Sequence, residues 1–164
     1  MDGLGSHSGL PSLAGDSDGG QARMDRSVIR AQTGAQVGHA KPFLAPEKLT
    51  TPKGEASVES SPIGVLFGVE PWNFPHDQIA RFAASNLLAG HVVRVKHASS
   101  VPQCALAFEH LLLDAGAPDG AYTNRFISKE QVAQVNEDPR VRGVALKGSE
   151  AAGATVAAQA GKHL

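Results

Sequence analysis

From Ile63 onward the chain alternates short apolar runs with stretches of helical spacing. That alternation constrains the fold more than any other feature. "IGVLFGV" (63–69) is a continuous apolar run with β-branched residues, the texture of a strand covered on both faces. "HDQIARFAASNLLAG" follows, with Ile79, Phe82, Ala83 and Leu87 on one helical face and Gly90 at the C′ position. "HVVRVKHA" reads as a second strand. "PQCALAFEHLLLDAG" reads as a second helix that starts at Pro102, carries Cys104, Phe108, Leu111 and Ala115 on one stripe, and ends at Gly116. "AYTNRFI", "KEQVAQVNED", "VRGVALKG" and "SEAAGATVAAQAGKHL" continue as strand, short helix, strand and helix. Elements alternating at these lengths predict an α/β fold: a parallel sheet with helices on both faces and right-handed crossovers.

Bulk properties narrow the function. The 164 residues fit one modest domain. A formal charge of −1 gives no global pull toward nucleic acid or an anionic membrane. Aromatic residues are only 5% of the chain, so the core must come from Ala, Val, Leu and Ile. The lone cysteine, Cys104, excludes an intrachain disulfide and suits a reducing, cytoplasmic setting. No apolar run approaches the ~20 residues of a spanning helix. The opening "MDGLGSHSGLPSLAGDSDGG" has no basic flank leading into an apolar stretch, unlike a secretory signal. Residues 1–42, rich in Gly, Ser, Asp and Gln, are expected to be disordered. Residues 43–62, "FLAPEKLTTPKGEASVESSP", read as an extended connector, and ordered sequence begins near Ile63.

Open parallel sheets bind ligands beyond the carboxyl ends of their strands. Three polar segments fall there: "EPWNFP", "VKHASS" and "LKGSEAAG". In the last, Gly148 and Gly153 bracket a strand-to-helix turn and Ser149 stands at a helix N-terminus. That arrangement serves either as a plain tight turn or as a pyrophosphate cradle. Lys96 alone reads as a solvated strand-end charge. Together the three segments favour a nucleotide site.

The segments "PIGVLFGVEPWNFP", "LLAGHVVRVKHASSVPQCA", "AGAPDGAY", "EDPRVRGVALKGSEAAG" and "AAQAGKHL" resemble the NAD(P)-dependent aldehyde dehydrogenases, closest to the succinate-semialdehyde dehydrogenase branch. The resemblance runs from about Phe43 to Leu164. It implies that residues 63–164 are part of a Rossmann-like domain binding NADP or NAD, and that residues 1–42 are unrelated to the family. It implies that the Asn73 side-chain amide donates to the carbonyl oxygen of an aldehyde, as half of an oxyanion hole. Pro71 and Trp72 then line the nicotinamide end of the cleft, Lys96 contacts the adenosine ribose, Ser149 holds the pyrophosphate, and Gly148 lets the backbone approach it. Ser99 stands where many NAD-specific members carry a glutamate that binds the ribose 2′-hydroxyl. A serine removes that carboxylate's repulsion of a 2′-phosphate, so NADP should be accepted at least as well as NAD.

Other positions depart from the family pattern. Lys147 replaces a threonine before the Gly-Ser turn, where it would pair with phosphate or crowd the site. Arg94 replaces an aliphatic residue inside the second strand, where a charge is costly unless paired or snorkelling. "NRFISKEQ" lacks the glycine usual near the adenine end. The family's nucleophilic cysteine and its glutamate base belong to segments beyond Leu164, and Cys104, on a helix stripe, does not replace the former. The expectation is a fragment inactive alone, forming a homo-oligomer or joining a longer relative, with no metal, nucleic-acid or membrane partner. The alternative is a non-catalytic nucleotide-binding or assembly module.

Overall fold

The structure is a computed structural model, and it describes residue 34 and residues 37–163. The expectation of disorder over residues 1–42 falls largely outside that range. Residues 37–44 are helical (α1). The stretch read as an extended connector is not simply extended. Its strands β1 (Glu47–Thr51) and β2 (Gly54–Val58) pair antiparallel as a hairpin, exposed on both faces. The turn signal was present as "TPKG": Gly54 has φ 131°, and the Thr51 hydroxyl donates to its carbonyl at 2.7 Å. Charged and polar residues over 47–58 masked the strand pattern, because neither face is buried.

The alternating region forms the expected α/β sandwich. Strands β3 (Val65–Glu70), β4 (Val92–His97), β5 (Tyr122–Asn124) and β6 (Val141–Leu146) make a four-stranded parallel sheet in the order β5-β4-β3-β6. Helices α2 (Pro75–Leu88), α3 (Pro102–Asp114), α4 (Gln131–Asn136) and α5 (Glu150–His163) connect and cover the strands. One core joins Ile79, Ala80 and Ala83 of α2 and Phe108 of α3 to Val93, Val95 and Tyr122. The second joins Phe67 and Val141 to Val132 of α4 and Val156 of α5. Helices therefore cover both faces, and each fully buried valine, isoleucine or phenylalanine contributes roughly 1.5–3 kcal/mol.

Helix α2 starts at a proline and ends before Gly90, whose φ of 86° closes the C-terminal turn. On α3 the buried stripe differs from the one expected. Ala105 and Phe108 are buried with Leu112 packed beside them, whereas Leu111 is 58% exposed and Cys104 is half-buried. Leucines at 111, 112 and 113 cover every side of the helix, so spacing alone could not fix its rotation. The Phe108 ring, 5.4 Å from that of Tyr122, does so.

Gly68 sets how closely α2 approaches the sheet. A Cβ there would sit 2.6 Å from the Phe82 ring. The Gly68→Ala variant should lose about 1–3 kcal/mol of unfolding free energy through overpacking. Urea unfolding of the pair measures it, and an unchanged midpoint would show that Phe82 moves aside freely.

Candidate functional site

Chain order runs from β3 outward through β4 to β5 and then returns to β6 on the other side of β3. The order reverses between β3 and β6, which is where open sheets of this kind form a binding crevice. Register brings the strand ends together. Glu70 pairs with His97 and Val69 with Leu146. The ladder's last bonds run from Ala98 N–H to the Glu70 carbonyl (2.9 Å) and from Lys147 N–H to the Val69 carbonyl (3.0 Å). Pro71, Ala98 and Lys147 thus leave the sheet along one edge, carrying with them the segments of Asn73, Ser99 and Ser149.

The first segment is a constrained turn. Phe74 has φ 48° and ψ 52°, a left-handed conformation for a non-glycine residue directly before Pro75, the first residue of α2. Such strain is worth on the order of 1–3 kcal/mol and survives only where its surroundings enforce it. The turn presents Trp72, 66% exposed, together with exposed Asn73, and Pro71 is half-buried behind them. On the second segment Lys96 is buried and its Nζ donates to the His97 carbonyl at 3.0 Å, while Ser99 is exposed in the following turn. Burial, with Lys129 nearby, lowers the Lys96 pKa. On the third, Ser149 Oγ accepts the Ala152 N–H at 3.3 Å as a helix cap and keeps its own proton for a ligand. A Cβ on Gly148 would meet only Leu146, at 3.4 Å, so no close contact within the protein requires glycine there. That open approach, a capped helix start and a buried lysine fit a dinucleotide.

Lys147 does not crowd that turn. Its Nζ reaches across to the Gln78 carbonyl of α2 at 2.6 Å and lies 3.8 Å from Glu70 Oε2. Glu70 and His97 are the site residues that sequence reading missed. Both are buried: neither Glu70 oxygen has a hydrogen-bond partner among the described residues, and neither does His97 Nδ1. Polar residues closing apolar strands, "FGVE" and "VKH", were the available signal. Burial raises the Glu70 carboxyl to about 7 against the opposing pull of Lys147. Burial and then His76 hold the His97 imidazole down to about 4, against the Pro71 carbonyl.

The model of the aldehyde dehydrogenase family matches residues 21–164. The chain belongs to the aldehyde dehydrogenase family. The match takes in residues 21–42, where no resemblance was read from the sequence. The succinate-semialdehyde dehydrogenase [NADP(+)] of Deinococcus radiodurans is 53% identical over 122 residues, 74% of this chain and 26% of that protein. The probable succinate-semialdehyde dehydrogenase [NADP(+)] of Synechocystis is 43% identical over 121 residues, 74% of this chain and 27% of its own length. The crystal structure of succinic semialdehyde dehydrogenase from Streptococcus pyogenes, in complex with NADP+, superposes with TM-score 0.83 at 42% identity, over 88% of this chain and 32% of that one. The chain therefore spans about a quarter to a third of the relatives it matches. Among the described residues no helix is long and apolar enough to cross a membrane.

The two buried groups give opposite pH responses. Between about pH 4.5 and 7 native Glu70 keeps a proton that the unfolded chain has released, so stability falls as pH rises. Between about pH 6.5 and 4 unfolded His97 takes up a proton that the native state refuses, so stability falls as pH falls. Each effect is on the order of 3 kcal/mol, and in the wild type they largely cancel. Glu70→Gln should therefore leave a stability that rises with pH across this window, and His97→Gln one that falls. Urea midpoints at several pH values check this. Parallel profiles for the wild type and both variants would refute it.

Proposed function

We propose that these residues form the cofactor-binding part of an NAD(P)-dependent aldehyde dehydrogenase of the succinate-semialdehyde type, working in the cytoplasm. The observation that carries the reading is the convergence of Asn73, Lys96, Ser99, Gly148 and Ser149 on one sheet edge at the reversal of strand order. The relatives' names supply the aldehyde and the preference for NADP. The lone cysteine supports the reducing compartment.

The bound cofactor would supply a hydride acceptor. In this reading Ser149 and the first N–H groups of α5 hold the pyrophosphate, where the helix dipole favours negative charge. Gly148 lets that phosphate come close. Lys96 donates to the adenosine ribose, and its docking on the His97 carbonyl holds the ammonium in place. Ser99 offers a hydroxyl and no negative charge, so a 2′-phosphate meets no repulsion. Pro71 and Trp72 wall the nicotinamide end. Asn73 donates its amide to the aldehyde oxygen as negative charge develops, and removing one such donor is worth roughly 3 kcal/mol of barrier. The strained, proline-bounded turn fixes that amide in advance. The aldehyde's carbon needs a thiolate, and Cys104 on α3 is not assigned that role. We assign assembly with further copies or a longer relative on family grounds.

Calorimetric titration tests the reading. Residues 1–164 should bind NADP at least as tightly as NAD, and Ser99→Glu should reverse the order. A clear preference of the unaltered chain for NAD would overturn the assignment of Ser99. Gly148→Ala should weaken NADP by about tenfold or more while leaving unfolding free energy within about 0.5 kcal/mol, since its Cβ fits the protein but not the phosphate. With succinate semialdehyde and NADP the chain should give no reduced-cofactor absorbance. Turnover abolished by Cys104→Ser would show that the nucleophile is misplaced.

A further inference from the structure

A cavity of about 420 Å³ lies beneath α4 and is open to solvent. It is lined by none of the residues assigned to the cofactor. Arg94 enters it from the middle of β4, two residues before Lys96 and so roughly 6–7 Å further down the same sheet face. Arg125, just past β5, and Arg140, just before β6, stand around it with Asp138. Three guanidiniums thus share one wall with one carboxylate. That carboxylate is already taken: Arg140 holds Asp138 in a fork, with Nε at 2.9 and 3.2 Å and Nη2 at 2.6 Å. Among the described residues Arg94 has no hydrogen-bond or ion-pair partner, although it is half-buried in a sheet covered on both faces. Burial lowers its pKa first, and then Arg125 and Arg140 do, against the opposing pull of Asp138, so the three cations share the field of one carboxylate. Three cations around one carboxylate leave an excess of positive charge, half-buried at Arg94, and planar guanidinium forks match oxyanions. Phe67, Ile127 and Val135 give the lining an apolar wall beside the cations, and Gln131 and Gln134 of α4 add polar groups. The volume is that of a small-ligand pocket.

We propose that this cavity is a binding site for a small organic dianion, with a phosphomonoester-like head on Arg94 and Arg125 and an apolar body against Phe67 and Ile127. The head supplies the two negative charges that the arginines left over by Asp138 lack. The apolar wall distinguishes an organic phosphate from inorganic phosphate. Arg94, which stands where an aliphatic residue would suit a buried strand, is then explained by its ligand. The site is independent of the cofactor cleft and does not rest on the reading of that cleft.

The test uses chain 1–164, titrated by calorimetry with phenyl phosphate, inorganic phosphate and benzoate at one ionic strength, because charge interactions are screened by salt. Phenyl phosphate should bind most tightly, inorganic phosphate less so and benzoate least. Arg94→Leu and Arg125→Gln should each weaken phenyl phosphate by about tenfold or more, the usual worth of a charged hydrogen bond. Lys162→Gln, which removes an exposed cation on α5 outside the cavity, should change it less than about twofold. Should Arg94→Leu fail to fold, the exposed Arg125 decides, since its replacement disturbs no core. No binding of phenyl phosphate at millimolar concentration would overturn the proposal. So would benzoate binding equally well, or Arg125→Gln binding like the wild type.

Discussion

Everything at the candidate site depends on the register of β3 against its two neighbours. Glu70 lies opposite His97 and Val69 opposite Leu146, so three strands end at one line. Side chains alternate across a pleated strand, and a slip of one residue would turn Phe67 and Val69 out of one core and Gly68 away from Phe82. Gly68 in turn lets α2 sit close to the sheet, and α2 begins directly after the turn that carries Asn73. The position of an exposed amide is thus fixed by buried contacts several residues away.

That edge is built at some cost. A carboxyl and an imidazole are buried side by side, each held in its neutral form near pH 7 or drawn toward it, and Phe74 takes a conformation few aromatic residues adopt. Lys147 bridges the region by joining the α2 carbonyl of Gln78 and approaching Glu70, which ties the third strand end to the helix behind the first. Local departures from low-energy structure collect at binding sites because the surrounding fold holds them in place. Here they collect at the carboxyl ends of the strands, with Glu70 and His97 on the α2 face of the sheet and Lys96 on the other.

The fold was legible where burial imposes a period. Apolar runs of six or seven residues and helices with a clear inner face, such as Ile79 with Ala83, were placed within two residues. Legibility failed where burial is absent or uniform. The hairpin over 47–58 is exposed on both faces and so carries no alternation. The rotation of α3 could not be read through Leu111, Leu112 and Leu113. At the site, the polar strand ends were visible as motifs, but the interior partners Glu70 and His97 were not. Their significance lies in a pairing between residues 27 positions apart that only the sheet creates. Lys147 was recognised as unusual, yet its destination on α2 depends on packing rather than spacing.

The central claim is that the carboxyl ends of β3, β4 and β6 together form one nucleotide cleft. Two-dimensional amide NMR of the chain during NADP titration addresses it most directly. Saturable shifts are expected at residues 72–74, 96–100 and 147–152, with the β1–β2 hairpin and the outer face of α3 unmoved. Shifts confined to other surfaces, or none at millimolar NADP in a folded sample, would contradict it.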